Sequence, residues 1–220
     1  IKEKEEQTKK TEIAKDEFLA MITHELKTPL VPIQGYADIL LSEHLGKLTD
    51  KQKERINIIK SSSETLLALI SDLLDAQKLE LGQLKMRKEN ANIKETITSV
   101  INSFLPQAQK NKTEIISNIQ DILIEHDPDR IKQVMSNLIK NSLIAVGSEK
   151  GKIEITVENK PHEIQINVKD NGVGIPIDKQ SDLFKKFYQV DATLTREKGG
   201  SGLGLSICKG IMENHGGRIT

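Results

Sequence analysis

The chain is short of aromatics, cysteine, long apolar runs and any excess of charge. Aromatic residues make up 3% of its 220 residues and Trp is absent. That argues against base-stacking platforms and aromatic cages for cationic ligands. A single cysteine, Cys208, excludes an internal disulfide framework and a Cys-based zinc site. It fits a reducing, cytoplasmic setting. No stretch approaches ~18 consecutive apolar residues, so none is suited to spanning a bilayer, and no secretory signal opens the chain. Lys+Arg and Asp+Glu both number 32, a formal charge of zero that argues against a general nucleic-acid binder. The start at Ile1 and the stop at Thr220, just past Gly216-Gly217, predict a piece of a longer protein.

What is present is 36% hydrophobic and 29% charged residues, a balance that fits a helix-rich chain with a thin core. At ~150 residues per domain, the length suggests one or two domains. Residues 1–17 lack Gly and Pro. Lys2–Glu6, Glu5–Lys9 and Glu6–Lys10 are opposite charges one helical turn apart. They read either as a solvated helix end or as a coiled-coil entry from an upstream domain. From Phe18 the pattern turns apolar, with Leu19, Ile22, Leu26, Ile33 and Leu40 on one helical face to about Leu45. Gly46 is a stop signal. Thr49 and Gln52 form a capping box for a second helix, whose Ile56, Ile59, Ser63, Leu66, Ile70, Leu73 and Gln77 step 3,4,3,4. Leu67, Leu69 and Leu74 widen that seam. The pattern predicts an all-α hairpin over residues 1–82 that pairs with a second copy as a dimeric four-helix bundle.

Residues 83–220 alternate in texture and predict an α/β sandwich, a mixed sheet against helices. Expected strands are Gln83–Lys88, Thr113–Asn118, a short one near Leu123, Lys152–Asn159 and Glu163–Lys169, the last two joined at Asn159-Lys160-Pro161. Expected helices are Ile93–Lys110, interrupted near Pro106; Asp127-capped residues to about Val146; a short one at Leu183–Tyr188; and Gly204–Asn214.

Four segments carry chemistry. In Thr23-His24-Glu25-Leu26-Lys27-Thr28-Pro29, Pro29 cannot donate to the Glu25 carbonyl and predicts a kink after His24. An imidazole with an adjacent carboxylate is a competent nucleophile. Asn137 and Asn141 lie one turn apart, and an amide oxygen suits Mg²⁺ held mainly by phosphates and water. In Asp170-Asn171-Gly172-Val173-Gly174 the glycines permit close ligand approach, and Asp170 could accept from an exocyclic amine such as adenine's. Gly200-Ser201-Gly202-Leu203-Gly204-Leu205 opens a helix, whose free N–H groups suit phosphate. It is neither a Walker A loop nor a dinucleotide-binding fingerprint. His44, His126, His162 and His215 show no ligand spacing, and Cys208 reads as a small buried apolar residue.

Taken together and in order, these segments resemble the catalytic core of sensor histidine kinases. Phe18–Leu30 is similar to the phosphoacceptor box and Asp129–Asn141 to the asparagine box. Asp170–Gly174 and Gly200–Leu205 resemble the two glycine boxes, and Leu183–Phe187 the phenylalanine box. The resemblance implies a dimerisation and phosphotransfer hairpin followed by a Bergerat-type ATP-binding domain. It further implies that His24 takes the γ-phosphoryl of ATP with Glu25 as general base, and that Asn141 holds Mg²⁺ with Asn137 near the phosphates. Asp170 would read adenine, while Gly172, Gly174, Gly200, Gly202 and Gly204 would let a lid close on the nucleotide. The phosphoryl group would pass to an aspartate of a response regulator. Glu25-x-x-Thr28 matches the family's phosphatase signature, with Thr28 orienting water. The chain departs from the family pattern at Ile144, Ala145 and Gln189, where a basic residue, an aromatic and a basic residue are usual. Lys140, Arg196 and Lys198 are the cations placed to compensate. The alternatives are a nucleotide-binding scaffold or a phosphatase-only pseudokinase, and an ATP-hydrolysing clamp of the gyrase or chaperone kind.

Overall fold

The computed structural model describes residues 2–147, 150–190 and 200–220, with the backbone alone for residues 2–20 and for His24. The chain divides into two units, Ile1–Leu84 and Lys85–Thr220.

The first unit is a helical hairpin, α1 (Lys2–Leu41) and α2 (Asp50–Glu80). Helix α1 extends upstream through the charged segment, and its helical assignment runs through Pro29 and Pro32. Its last turn closes with the Ser42 N–H on the Asp38 carbonyl at 2.9 Å. The capping box at the start of α2 is formed on both sides. The Gln52 N–H donates to the Thr49 hydroxyl at 3.3 Å, and the Thr49 N–H to the Gln52 amide oxygen at 2.9 Å. Between these ends Glu43 accepts from the Leu48 N–H at 2.9 Å and pairs with Lys53 at 3.1 Å. The Leu48 N–H, then the Lys53 ammonium, hold its carboxyl below the ordinary value. Lys60 of α2 meets Asp38 of α1 at 2.6 Å, and that carboxylate raises the Lys60 pKa.

The hairpin seam uses other positions than the apolar face read on α1. Among the described side chains of α1 the buried positions are Thr23, Leu30 and Ala37, spaced by seven, while Ile22, Leu26, Ile33 and Leu40 stay exposed; Leu19 lies outside the described side chains. On α2 Ser63 and Ile70 are buried, but Ile59 and Leu66 are 52% and 43% exposed. The apolar face that periodicity picks out on α1 is therefore the one the hairpin leaves open. The buried seam mixes small side chains, Thr23, Ala37 and Ser63, with the larger Leu30 and Ile70.

The second unit is α/β: β1 (Glu89–Asn92), α3 (Ile93–Lys110), β2 (Thr113–Ile119), β3 (Leu123–His126), α4 (Pro128–Val146), β4 (Gly151–Lys160), β5 (Glu163–Asp170), α5 (Ile177–Gln180) and α6 (Gly204–Asn214). β1 pairs antiparallel with β3, and a mixed sheet runs β2-β4-β5, with β2 parallel and β5 antiparallel to β4. Ile93, Ile97 and Ile101 of α3, Ile131, Met135, Ile139 and Leu143 of α4, and Ile153, Ile155 and Val157 of β4 form one core. The helical hairpin and the α/β unit match the expected fold class.

Some elements differ from expectation. Residues 83–88 are not a strand; Glu89–Asn92 is, through its register with β3. α3 continues through Pro106, an exposed residue whose lost hydrogen bond frees the carbonyl of exposed Asn102 to water. Lys160 stays in the strand, leaving Pro161-His162 as the turn. The short helix falls at Ile177–Gln180 rather than 183–188, because Phe187 takes a φ of +62° that no helix continues.

Asp127 locks α4 into place. Its carboxylate accepts the Arg130 N–H at 3.1 Å as N-cap and the Arg87 N–H at 2.6 Å. Its own N–H donates to His215 Nε2 at 3.0 Å, so His215 is neutral and donates from Nδ1 to the Ile211 carbonyl at 2.9 Å. Burial pushes the Asp127 carboxyl up, but the Arg87 and Arg130 N–H groups and the Arg130 charge outweigh it and hold the pKa low. A lowered folded-state pKa stabilises above the ordinary carboxylate range, and the gain is lost as pH falls through the folded value. Asp127→Ala should cost about 1–2 kcal/mol in urea unfolding at neutral pH. The gap between wild type and variant should close on acidification.

Candidate functional site

Burial of Ile131, Met135, Ile139 and Leu143 turns the opposite side of α4 outward. Asn137, Lys140 and Asn141 lie on that side at i, i+3 and i+4. Lys140 and Asn141 are exposed, and neither has a hydrogen-bond or ion-pair partner among the described residues. Asn137 is half-buried and turns its amide to α6, with Nδ2 3.4 Å from the Gly204 carbonyl and 3.7 Å from Cys208 Sγ. A Cβ on Gly204 would sit 3.4 Å from that amide, at van der Waals contact. Among the described residues no side chain caps α6; the Leu203 N–H donates to the Ser201 hydroxyl at 3.2 Å. The first N–H groups of α6, uncapped among the described residues, therefore lie beside Asn137 of α4, a combination that suits phosphate oxygens.

Asp170 ends β5. Its Oδ1 accepts the Gly172 N–H at 2.9 Å and its Oδ2 accepts the Ser142 hydroxyl at 3.0 Å. Asn171 ties the loop to β4, accepting the Lys152 N–H at 2.7 Å and donating to the Lys150 carbonyl at 3.0 Å. Gly172 passes so close to α4 that a Cβ there would lie 2.6 Å from the Ala145 carbonyl carbon and oxygen. The next N–H, of Val173, donates to that carbonyl at 3.3 Å. Gly174 has a φ of +69° with open space around it.

The second glycine segment rests on Phe187. The Phe187 N–H donates to the Gly202 carbonyl at 2.9 Å, and a Cβ on Gly202 would lie 2.7 Å from the Phe187 backbone. Gly202 also has a φ of +70°, so both sterics and conformation require glycine. Gln189 donates from Nε2 to the Gly200 carbonyl at 2.8 Å, a neutral contact at a position where the resemblance implies a cation. Arg196 and Lys198 lie outside the described residues.

In the hairpin, His24, Glu25 and Thr28 share α1, and the side chains of Glu25 and Thr28 are exposed. Pro29 and Pro32 stand four residues after Glu25 and Thr28, so neither of those carbonyls receives its helical N–H. Sequence reasoning named Asp170, Asn137, Asn141 and the glycines, gave Ser142 and Asn171 no role, and read Gln189 only as a departure from the family pattern. Each of these last three acts through a partner at least 11 residues away, which no local pattern reports.

Among the described residues no group of three His, Cys, Asp or Glu side chains could hold a metal. An amide oxygen is a hard ligand of the kind that suits Mg²⁺ carried mainly by phosphates and water. Asn141, exposed and without a partner among the described residues, could supply such an oxygen.

Residues 14–82 match the His Kinase A (phospho-acceptor) domain, and residues 126–220 match the Histidine kinase-, DNA gyrase B-, and HSP90-like ATPase. The chain is 35% identical over 211 residues to the circadian input-output histidine kinase CikA of Synechococcus elongatus, covering 94% of this chain and 28% of CikA. Full-length ShkA in complex with AMPPNP superposes with a TM-score of 0.71 at 26% identity, covering 91% of this chain and 41% of ShkA. The catalytic domain of histidine kinase ThkA is 31% identical, with a TM-score of 0.51, over 60% of this chain and 82% of that domain. ThkA bound to the response regulator TrrA covers 98% of this chain and 60% of ThkA, at 26% identity and a TM-score of 0.58. A phosphoacceptor hairpin joined to an ATPase-like unit of this kind defines a class of two-component signalling proteins. The chain belongs to the histidine kinases, and it spans about a quarter of the length of curated relatives such as CikA.

The two glycines of the Asp170 loop should separate sterics from conformation. Gly172→Ala meets backbone and should cost about 3 kcal/mol. Gly174→Ala meets open space and should cost about 1 kcal/mol through its positive φ. Thermal unfolding of the two variants checks the order.

Proposed function

We propose that this chain is the catalytic core of a sensor histidine kinase that moves the γ-phosphoryl group of ATP to His24 and then to an aspartate of a response regulator. The observation that carries this reading is the meeting of Asn137 on α4, one turn before the exposed Lys140 and Asn141, with the N-terminus of α6, which no side chain caps among the described residues. Asp170 sits at the far end of the same helix. Catalysis of phosphoryl transfer is mostly positioning and charge neutralisation. The α6 N–H groups and Lys140 hold phosphate oxygens, Asp170 accepts from the adenine amine, and Asn141 presents its amide oxygen to Mg²⁺. The ion, bound with ATP, neutralises charge on the phosphates. One nitrogen of His24 attacks the γ-phosphorus while the other gives its proton to Glu25. The β–γ bridging P–O bond breaks, ADP leaves, and a phosphoramidate N–P bond forms. The AMPPNP complex of ShkA supports the nucleotide assignment, and the ThkA–TrrA complex supports a response regulator as acceptor.

The working unit is a homodimer. Ile22, Leu26 and Ile33 on α1 and Ile59 and Leu66 on α2, all exposed in a single copy, form the surface that a second hairpin covers as a four-helix bundle. Thr28, one turn beyond Glu25, orients the water for dephosphorylation of the regulator. No helix among the described residues is long and apolar enough to cross a membrane. Use of ATP places this core on the cytoplasmic side of whatever architecture surrounds it.

Labelled ATP with Mg²⁺ should leave acid-labile label on wild type and none on His24→Ala. Asn141→Ala should reduce the initial rate about 100-fold. Label that never appears, while regulator dephosphorylation proceeds, would assign the phosphatase-only alternative instead. Steady ATP turnover that survives His24→Ala would assign the hydrolytic clamp. Sedimentation should return twice the monomer mass, and Leu26→Glu with Leu66→Glu should return the monomer.

A further inference from the structure

The hydroxyl of Ser142 lies in the interior of α4, buried to 5% exposure. A mid-helix serine usually returns its hydroxyl to the carbonyl one turn back. This one reaches across 28 residues of sequence to Asp170 Oδ2 at 3.0 Å. A carboxylate only accepts, so the serine donates, and its proton is committed to that bond. The other oxygen, Oδ1, is held by the Gly172 N–H at 2.9 Å. An aspartate alone has a broad, two-fold preference about its last torsion. With each oxygen tied to a different element, the carboxylate plane has one setting.

We propose that Ser142 is a positioning residue: it fixes the Asp170 carboxylate for an exocyclic amine and thereby sets the preference for adenine over guanine nucleotides. The inference rests on the nucleotide reading above. A carboxylate offers roughly four acceptor positions, and two are used here, leaving the others for the 6-amino group of adenine. A 6-oxo purine turns an acceptor toward the same oxygens, and like partners repel. A carboxylate free to rotate can turn away from that clash; one pinned at both oxygens cannot. Ser142 also follows Asn141 directly on α4. The residue placed at the metal and the residue that orients the base reader therefore share one rigid helix, which holds base and phosphates in a single frame.

The test compares Ser142→Thr with Ser142→Val in the full chain, two variants of the same shape that differ by the hydroxyl. Dissociation constants for ATP and GTP with Mg²⁺ are measured by calorimetry or by competition against a labelled nucleotide. Ser142→Thr should stay within about twofold of wild type. Ser142→Val should bind ATP about tenfold more weakly and lose most of its ATP-over-GTP preference. The rate of His24 labelling at saturating ATP should change less than about twofold, since no group near the transferred phosphoryl is altered. Should either branched side chain fail to give a cooperative melt, Ser142→Ala against wild type reads the same hydroxyl. Equal ATP-to-GTP ratios in Thr and Val variants, or equal losses for both nucleotides, overturn the role of Ser142 and leave the kinase reading intact. A wild type that binds neither nucleotide overturns both.

Discussion

Burial of Ile131, Met135, Ile139 and Leu143 against the sheet gives helix α4 one rotational setting. A turn of one residue, about 100°, would expose those side chains and bury Lys140 or Asn141 without partners. Everything in the candidate nucleotide site is indexed to that setting. Asn137 faces the start of α6, Ser142 reaches the end of β5, and the Ala145 carbonyl receives the loop after it. The helix is itself held at its N-terminus by Asp127, whose carboxylate and N–H join the segment at Arg87 to His215 at the end of α6. An apolar core and one buried cap thus position polar groups they never touch.

Two close backbone approaches complete the arrangement. Gly172 lies against Ala145 and Gly202 against Phe187, each with no room for a Cβ. Phe187 accepts a left-handed φ of +62° to make its bond to Gly202, a cost repaid by seating the loop that opens α6. The hairpin follows a different logic. Its described buried positions include Thr23, Leu30, Ala37, Ser63 and Ile70, while Ile22, Leu26, Ile33, Ile59 and Leu66 stay exposed. A candidate nucleotide site built within one unit and an apolar face left open on the other fit the proposed homodimeric kinase.

Much of this was legible in the sequence. The Thr49 capping box, the Asp127-Pro128 helix start and the β4–β5 hairpin are local signals with local causes, and each forms. The glycine and asparagine segments were legible because a glycine needed for close approach and an amide at i, i+4 leave residue-level marks. What escaped was set by distant partners. Glu-Asn-Ala-Asn has no strand pattern and becomes β1 only by pairing with β3. Pro106 reads as a helix break, yet its exposed side leaves the freed carbonyl to water. Periodicity on α1 located an apolar face but not which neighbour buries it. Gln189, read as a missing cation, turns out to hold the Gly200 carbonyl. Ser142 is one hydroxyl among many until β5 is folded beside it.

The central claim is that the setting of α4 brings the asparagines, the Asp170 loop and the α6 N-terminus into one nucleotide site. Titration of the isotope-labelled chain with a non-hydrolysable ATP analogue and Mg²⁺, followed by nuclear magnetic resonance, tests it most directly. The side-chain amides of Asn137 and Asn141 and the backbone amides of Gly172, Gly174, Gly202 and Gly204 should shift together along one binding curve. Shifts confined to one of those segments, or falling on β1 and β3 instead, would contradict the account.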